Sequence, residues 1–287
     1  MKRIGILANP RVAEASQTID RLVGLARQNG IELCLGEELK EVCQGKADLF
    51  CDAADLCRNV DLVIALGGDG TILRTAKLVG DTGTPILGVN IGRLGFLAGA
   101  APEELEDSLQ RLQKGDYQIE ERMALEAEIG GKKAFALNEI VIEKGVMARM
   151  VQVKTWIADA QISSFFGNGL IIATPTGSTS YSLSAGGPVV HPSLQGIVVT
   201  PICPHSLSLR PMVVPGDQSI RVEVIAEHLD IMLSADGRTV SSVGPDTPVI
   251  VNRVQEPVRL INLQGLPFYQ LLRRKLDWSL DRREREA

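Results

Sequence analysis

Asp61-Leu62-Val63-Ile64-Ala65-Leu66-Gly67-Gly68-Asp69-Gly70-Thr71 is the stretch on which the reading of this chain turns. Residues 61–66 read as a buried strand, and Ile72-Leu73-Arg74-Thr75-Ala76-Lys77-Leu78-Val79 reads as a helix. A glycine-rich turn between a strand and a helix start receives phosphate. Its glycines let the backbone approach the anion, and the helix end offers unpaired N–H groups. Asp69 sits badly with that use alone, because a carboxylate repels phosphate. It suits holding a metal or taking a proton from an attacking hydroxyl, which suggests a kinase. The plainer alternative is that Asp69 or Thr71 caps the helix.

Outward from this turn the N-terminal part alternates strand and helix. Strands are expected over 2–9, 31–35, 61–66 and 85–90, with a helix over 11–28 ended by Asn29-Gly30. This order implies an open, largely parallel sheet covered by helices, with ligands beyond the carboxyl ends of the strands. The glycine turn and the loop Ile91-Gly92-Arg93-Leu94-Gly95-Phe96 both fall on that edge. After a helix over 102–114 the character changes. Short strands and turn signals follow to residue 263, including 134–142, 152–158, 169–173, 196–201, 219–225, 230–233 and 249–254. The expected fold class is therefore α/β + β. An N-terminal open parallel α/β nucleotide-binding domain takes 1–100 and a β-rich domain takes 101–265. A C-terminal helix within 266–287 returns to the first domain.

Composition narrows the class. Of the 287 residues 45% are hydrophobic and 23% charged, as in a globular protein. A net charge of -5 without a dense basic block argues against a nucleic-acid surface. No apolar run approaches the length of a membrane span. Cys34, Cys43, Cys51, Cys57 and Cys203 show no Cys-x-x-Cys spacing, and no histidine lies near the first four. They read as ordinary reduced thiols, and with no export signal the expected location is the cytoplasm.

Two further segments carry chemistry. The run 167–188 packs Asn168, Thr174, Thr176, Ser178, Thr179, Ser180, Tyr181, Ser182 and Ser184 among glycines. Hydroxyls and free backbone N–H groups suit the sugar and phosphates of a nucleotide, and Tyr181 adds an aromatic face. A serine-rich turn capping a short helix is the plainer reading. In 134–142, Asn138 and Glu139 interrupt an apolar strand, and neighbours in a strand reach one ligand only at a bulge or strand end. Glu139 facing solvent is the alternative. Asp236-Gly237 reads as an ordinary hairpin turn, His205 reads as a structural hydrogen-bonding residue, and His191 and His228 are uninformative. The chain has no Gly-x-x-x-x-Gly-Lys-Ser/Thr loop, protein-kinase catalytic loop, Gly-x-Ser-x-Gly elbow or His-Glu-x-x-His pair.

Together these segments resemble the NAD kinases across most of the chain. The match takes in 66–71, 90–96, 137–139, 174–187, 200–211 and Asp236-Gly237 in the family's order. Gly-Gly-Asp-Gly-Thr alone is shared with diacylglycerol kinases and is similar to phosphofructokinase loops; the block 174–187 is more specific. The resemblance implies transfer of the γ-phosphate of ATP to the 2′-hydroxyl of the adenosine ribose of NAD, giving NADP, with a divalent cation, usually Mg2+. It implies Asp69 as the base or electrostatic partner, and Gly67, Gly68, Gly70 and Thr71 as the phosphate loop. Arg93 would meet a phosphate or make a loop salt bridge. Asn138 and Glu139 would bind the NAD ribose and adenine region. Thr179, Tyr181 and Ser184 would complete the pocket, with Phe96 lining it; metal ligands are not identified. A homodimer or homotetramer is implied, with no nucleic-acid or membrane partner. Asn168 stands where relatives usually carry an aspartate that reaches NAD in or from an adjacent subunit. Rivals are another small-molecule or lipid kinase with the same loop, or a non-catalytic nucleotide sensor.

Overall fold

The apolar run before the glycine turn forms the strand Leu62–Gly67, with all six residues buried. Burial on both faces is the mark of a strand inside a helix-covered parallel sheet. It lies fourth of seven, in the order Phe50–Cys51, Glu32–Gly36, Arg3–Ala8, Leu62–Gly67, Ile86–Asn90, Val258–Asn262, Gln118–Arg122. The pairs from Phe50–Cys51 through Val258–Asn262 are all parallel. The computed structural model describes residues 2–10, 13–41, 43, 50–92, 95–145, 150–225, 231–244, 247–263 and 267–276.

The helices bury single apolar stripes against this sheet. Ala15, Ile19, Leu22 and Ala26 of Ala13–Gln28 share a core with Ile4, Ile6, Leu35, Leu62, Ile64 and Leu66. Leu105, Leu109 and Leu112 of Leu105–Lys114 enter the same core. Each such leucine contributes about 1.5–3 kcal/mol. Among the described residues no helix is long and apolar enough to cross a membrane.

The chain divides into two compact units, Arg122–Pro257 and the remainder on either side of it. This differs from the boundary expected at 100/101. The turn to helix at residue 102 changes secondary structure without changing core, because Leu105, Leu109 and Leu112 pack on the first sheet. Val258–Asn262 reads in the sequence as one more short strand of the β-rich run. In the structure Leu260 pairs in parallel with Ile86, so the chain returns to the first unit before its last helix, Phe268–Leu276.

Arg122–Pro257 holds two six-stranded sheets. One runs Ala160–Gly167, Val151–Ile157, Ile220–Ile225, Val249–Arg253, Leu125–Ile129, Lys132–Ala136. The other runs Met212–Pro215, Gly196–Ile202, Gly169–Ala173, Glu139–Lys144, Ile231–Ala235, Arg238–Ser242. The first sheet's Leu125, Val153, Val222 and Val251 share one core with Ile140, Ile142, Leu170, Ile172 and Leu233 of the second. A second small cluster, with Val141, Ile171, Ala173, Val190 and Val198, covers the opposite face. The single strand expected over 134–142 is two strands in different sheets, and the crossing falls at Leu137 and Asn138.

The thiols also differ from expectation. Phe50–Cys51 lies parallel beside Glu32–Gly36, which brings Cys34 and Cys51 to a Cα separation of 6.8 Å and joins them in a disulfide. Cys43 and Cys57 are buried outside this disulfide, and Cys203 is exposed.

Candidate active site

Strand Leu62–Gly67 delivers the chain to the helix Asp69–Val79. Gly67 has φ +151, and a Cβ there would lie 2.3 Å from Thr71 Oγ1, so the turn needs glycine. A Cβ at Gly68 or Gly70 would meet open space. Those two glycines are not demanded by packing, and they leave the backbone of the first helical turn open to a ligand. The amides of Asp69 and Gly70 are among the N–H groups a helix cannot pair internally, whereas that of Thr71 donates to Gly68 O at 2.9 Å.

Asp69 does not cap the helix. The N-cap is Gly68, with no side-chain capping bond, and Asp69 is the first helical residue. Its carboxylate reaches instead across to the next strand's loop. Oδ2 accepts the N–H of Phe96 at 2.8 Å and Oδ1 accepts that of Leu97 at 3.1 Å. Gly95 makes room for this clasp, since a Cβ there would fall 1.8 Å from Asp69 Oδ1. Nothing in the local sequence assigns Gly95 that task. Phe96 is half-buried, with Lys275 Nζ 5.8 Å from its ring centroid. Arg93 and His228 lie outside the described residues.

The expected NAD-binding residues Asn138, Glu139 and Tyr181 lie around the outer face of the Glu139–Lys144 sheet. Residues 139, 141 and 143 share that face because side chains alternate. The hydroxyl-rich segment covers it. Ser180 Oγ donates to Glu139 Oε1 at 3.1 Å, and Tyr181 Oη donates to Glu143 Oε2 at 3.4 Å. Thr174 anchors the segment: its Oγ1 donates to Leu137 O at 2.6 Å and its N–H to Asn138 O at 2.8 Å. Gly177 packs so closely that a Cβ would lie 2.1 Å from Asn138 O. Arg122 Nη1 reaches Thr176 Oγ1 at 3.5 Å.

Glu139 is 5% exposed, and its Oε2 is buried without a hydrogen-bond partner among the described residues. Burial pushes its carboxyl up to about 7; the Ser180 hydroxyl opposes this, and the neighbouring Asp236 adds to it. The solvent-facing alternative is thereby overturned. Burial likewise raises Asp236, against three backbone N–H bonds, and raises Tyr181, with Glu143 adding to it.

Several expected residues stand apart from this group. Thr179 Oγ1 donates to Thr176 O within its own turn, and Ser184 is exposed. Asn168 is at the other end of Gly169–Ala173: Gly169 pairs with Glu143, whereas Ala173 pairs with Glu139. A five-residue strand spans about 17 Å, so Asn168 lies at the Glu143 end of the strand and not beside Glu139 of its own chain. Among the described residues no group of three or more His, Cys, Asp or Glu could hold a metal ion.

Comparison with known proteins agrees along the chain. Residues 4–117 match the family model of the ATP-NAD kinase N-terminal domain, and residues 137–263 that of the C-terminal domain. An NAD kinase of Moorella thermoacetica is 40% identical over 294 residues, covering 100% of this chain and 93% of the relative. One of Geotalea daltonii is 39% identical over 290 residues, covering 97% and 99%. The crystal structure of yeast NADH kinase complexed with NADH shares the fold, with a TM-score of 0.90 at 23% identity over 98% of this chain and 89% of that one. That of an Archaeoglobus fulgidus NAD kinase in complex with ATP gives 0.77 at 25% identity, covering 96% and 98%.

Proposed function

The chain belongs to the NAD kinase family, and we propose from that premise how its own residues share the work. The activity is ATP-dependent phosphorylation of NAD to NADP. The oxygen of the adenosine 2′-hydroxyl bonds to the γ-phosphorus, the bond from that phosphorus to the β,γ-bridging oxygen breaks, and ADP leaves. Such transfers pass through a loose transition state, so positioning and charge count for more than nucleophile activation.

The observation that carries this assignment of roles is Asp69 at the head of a helix that follows an open glycine turn. The turn formed by Gly67, Gly68, Gly70 and Thr71 receives phosphate oxygens. Asp69 accepts the hydroxyl proton. Each of its oxygens takes one backbone N–H, which aims the carboxylate and leaves a second lone pair on each. Asn138, Glu139, Ser180 and Tyr181 form the NAD side.

Kinases that use ATP work with a divalent cation, and we assign Mg2+. Mg2+ keeps several waters and takes one or two carboxylates plus substrate phosphates, so Asp69 alone fits it without a protein cage. Bound there it would neutralise charge developing on the phosphates. We place the chain in the cytoplasm, where ATP and NAD are both supplied, as a homo-oligomer. The second point is supported by the edge strands Ala160–Gly167 and Met212–Pro215, which expose Ile162, Phe166, Met212 and Val213.

The test is the purified chain with ATP, Mg2+ and NAD, followed by detection of NADP. NADP should form, and removal of divalent cations by chelation should stop it. Phosphorylation of a lipid or sugar with no NADP would overturn the assignment. Replacing ATP by polyphosphate, and NAD by NADH, defines donor and acceptor.

A further inference from the structure

Asp236 and Gly237 form the tip of the hairpin between Ile231–Ala235 and Arg238–Ser242. An ordinary tip faces water and tolerates replacement. Asp236 and Gly237 keep the left-handed backbone usual for a two-residue tip, φ +48 and +72, but Asp236 turns its carboxylate onto another segment. Oδ2 accepts the N–H of Leu137 at 2.9 Å, and Oδ1 accepts those of Asn138 at 2.8 Å and Glu139 at 3.2 Å. Its own N–H returns a bond to Glu139 O at 3.0 Å. Two of these four bonds fall on Leu137 and Asn138, where the chain leaves one sheet for the other, and two on Glu139, the first residue of the next strand. The carbonyls of Leu137 and Asn138 are held from the far side by Thr174.

We propose that Asp236 is a positioning residue for the nucleotide pocket: it fixes the backbone that aims Asn138 and Glu139, and acts on substrate only through them. This rests on the assignment of Asn138 and Glu139 to the NAD side. Three consecutive backbone donors converging on one carboxylate exceed what a hairpin tip needs, and no hairpin bond uses them. A backbone link between two sheets has no ladder to hold its shape, so a side chain must supply the acceptors.

The same placement gives Asp236 an electrostatic handle on Glu139. The groups facing Glu139 are the Ser180 hydroxyl and the Tyr181 backbone N–H from the covering segment, and Asp236, with Arg238 beside it, from the hairpin. Its strand partner Ala173 is uncharged. The Tyr181–Glu143 pair lies four residues along the same strand. Asp236 therefore opposes ionisation of Glu139, and its removal lets Glu139 release its proton at lower pH.

The experiment compares the full chain with Asp236→Asn and Asp236→Ala, by thermal melting and by steady-state kinetics between about pH 5 and 9. The Ala variant should raise KM for NAD by roughly tenfold while kcat and KM for ATP stay within about twofold. Asn, which keeps one acceptor, should recover part of that loss. In the Asn variant the midpoint of the pH dependence of KM for NAD should move to lower pH. A merely structural role would lower melting without moving that midpoint. If the Ala variant fails to fold, the Asn variant alone decides through the midpoint. Unchanged KM for NAD in a folded Ala variant, an unmoved midpoint in the Asn variant, or a loss confined to kcat would each overturn the proposal. Glu139→Gln separates the two layers. If it changes KM for NAD and Asp236→Ala does not, the positioning role fails and the pocket stands. If Glu139→Gln and Asn138→Ala both leave KM unchanged, the pocket assignment itself falls, and the role of Asp236 with it.

Discussion

The Asp69 turn in the parallel-sheet unit and the Asp236 tip in the β unit solve one problem with one device. Each holds an irregular stretch of backbone by turning a carboxylate onto its N–H groups: two at Phe96 and Leu97, three at Leu137 to Glu139. Each construction also contains a glycine that a methyl group would ruin, at 1.8 Å for Gly95 and 2.1 Å for Gly177. The two differ in what remains for chemistry. Asp69 is half-buried beside open glycines and can meet a substrate. Asp236 spends both oxygens on three donors and works through its neighbours. A site aspartate is thus assigned its role by the space around it, since both make the same kind of bond.

The largest effect should come from Asp69→Asn. It removes the proton acceptor, for which general-base catalysis typically contributes about a hundred- to ten-thousand-fold in rate. It also turns an amide N–H₂ toward one of the two backbone donors, costing roughly 1–3 kcal/mol. Turnover should collapse in a protein that still folds, with NAD affinity changing modestly. Near-normal turnover in the folded variant would reduce Asp69 to a clasp and erase its difference from Asp236.

Next come the glycines of the first turn and its clasp. Gly95→Ala should both lower the melting temperature and cut turnover at least about tenfold, because the new methyl displaces the Asp69 carboxylate. Gly70→Ala meets no protein atom within 4 Å. It should leave melting nearly unchanged and raise KM for ATP, since only a bound phosphate would feel it. If Gly70→Ala is silent in both measurements, the phosphate-loop assignment loses its support.

Glu139→Gln sharpens the other side. Below an ordinary carboxyl value of 4.5 Glu139 is protonated in both folded and unfolded chains, and its contribution to stability is fully present. As pH rises toward about 7 the unfolded chain gives up the proton first, so that contribution is progressively lost. The full span is about 3 kcal/mol. The Gln variant escapes this loss. Its stability relative to wild type, measured by urea or thermal unfolding, should therefore be greater at pH 8 than at pH 4. A difference that does not vary with pH would mean that Glu139 ionises normally.

The smallest effect is expected for Asn168→Asp. A residue that touches bound substrate mainly changes uniform binding, so KM for NAD should shift more than kcat. Because Asn168 lies a strand's length from Glu139 in its own chain, the shift should depend on association and disappear at dilutions where light scattering shows monomers. A shift that persists in monomers would remove the need for a second copy.

Much of the site is legible in the sequence because its signals are local. Gly67 to Thr71 carries strand, turn and helix start within a few residues, and the density of hydroxyls over 174–184 marks a covering segment without any knowledge of its partner. Gly95 in the loop 91–96, and Thr174 and Gly177 in the hydroxyl-rich segment, are equally visible, yet their tasks are not: each is defined by an atom 26 or more residues away in sequence. Asp236 reads as a hairpin tip, which it is. Its second role involves partners 97 to 99 residues earlier, and nothing in Ala235-Asp236-Gly237 announces them.

The sequence by itself determined the two kinds of architecture, the positions of many strands along the chain and the place of the glycine turn between strand and helix. These follow from apolar periodicity and from glycine and proline, which act over a few residues. Only the tertiary structure decided that 102–121 packs with the first sheet, that Val258–Asn262 returns to it, and that residues 134–142 are divided between two sheets. It alone joined Cys34 to Cys51, placed Asn168 far from Glu139, and buried the Glu139 carboxyl. A short strand looks the same whichever sheet it enters. Its membership is fixed by which distant edge offers the hydrogen bonds and which core has room for its side chains, and both lie outside the local pattern.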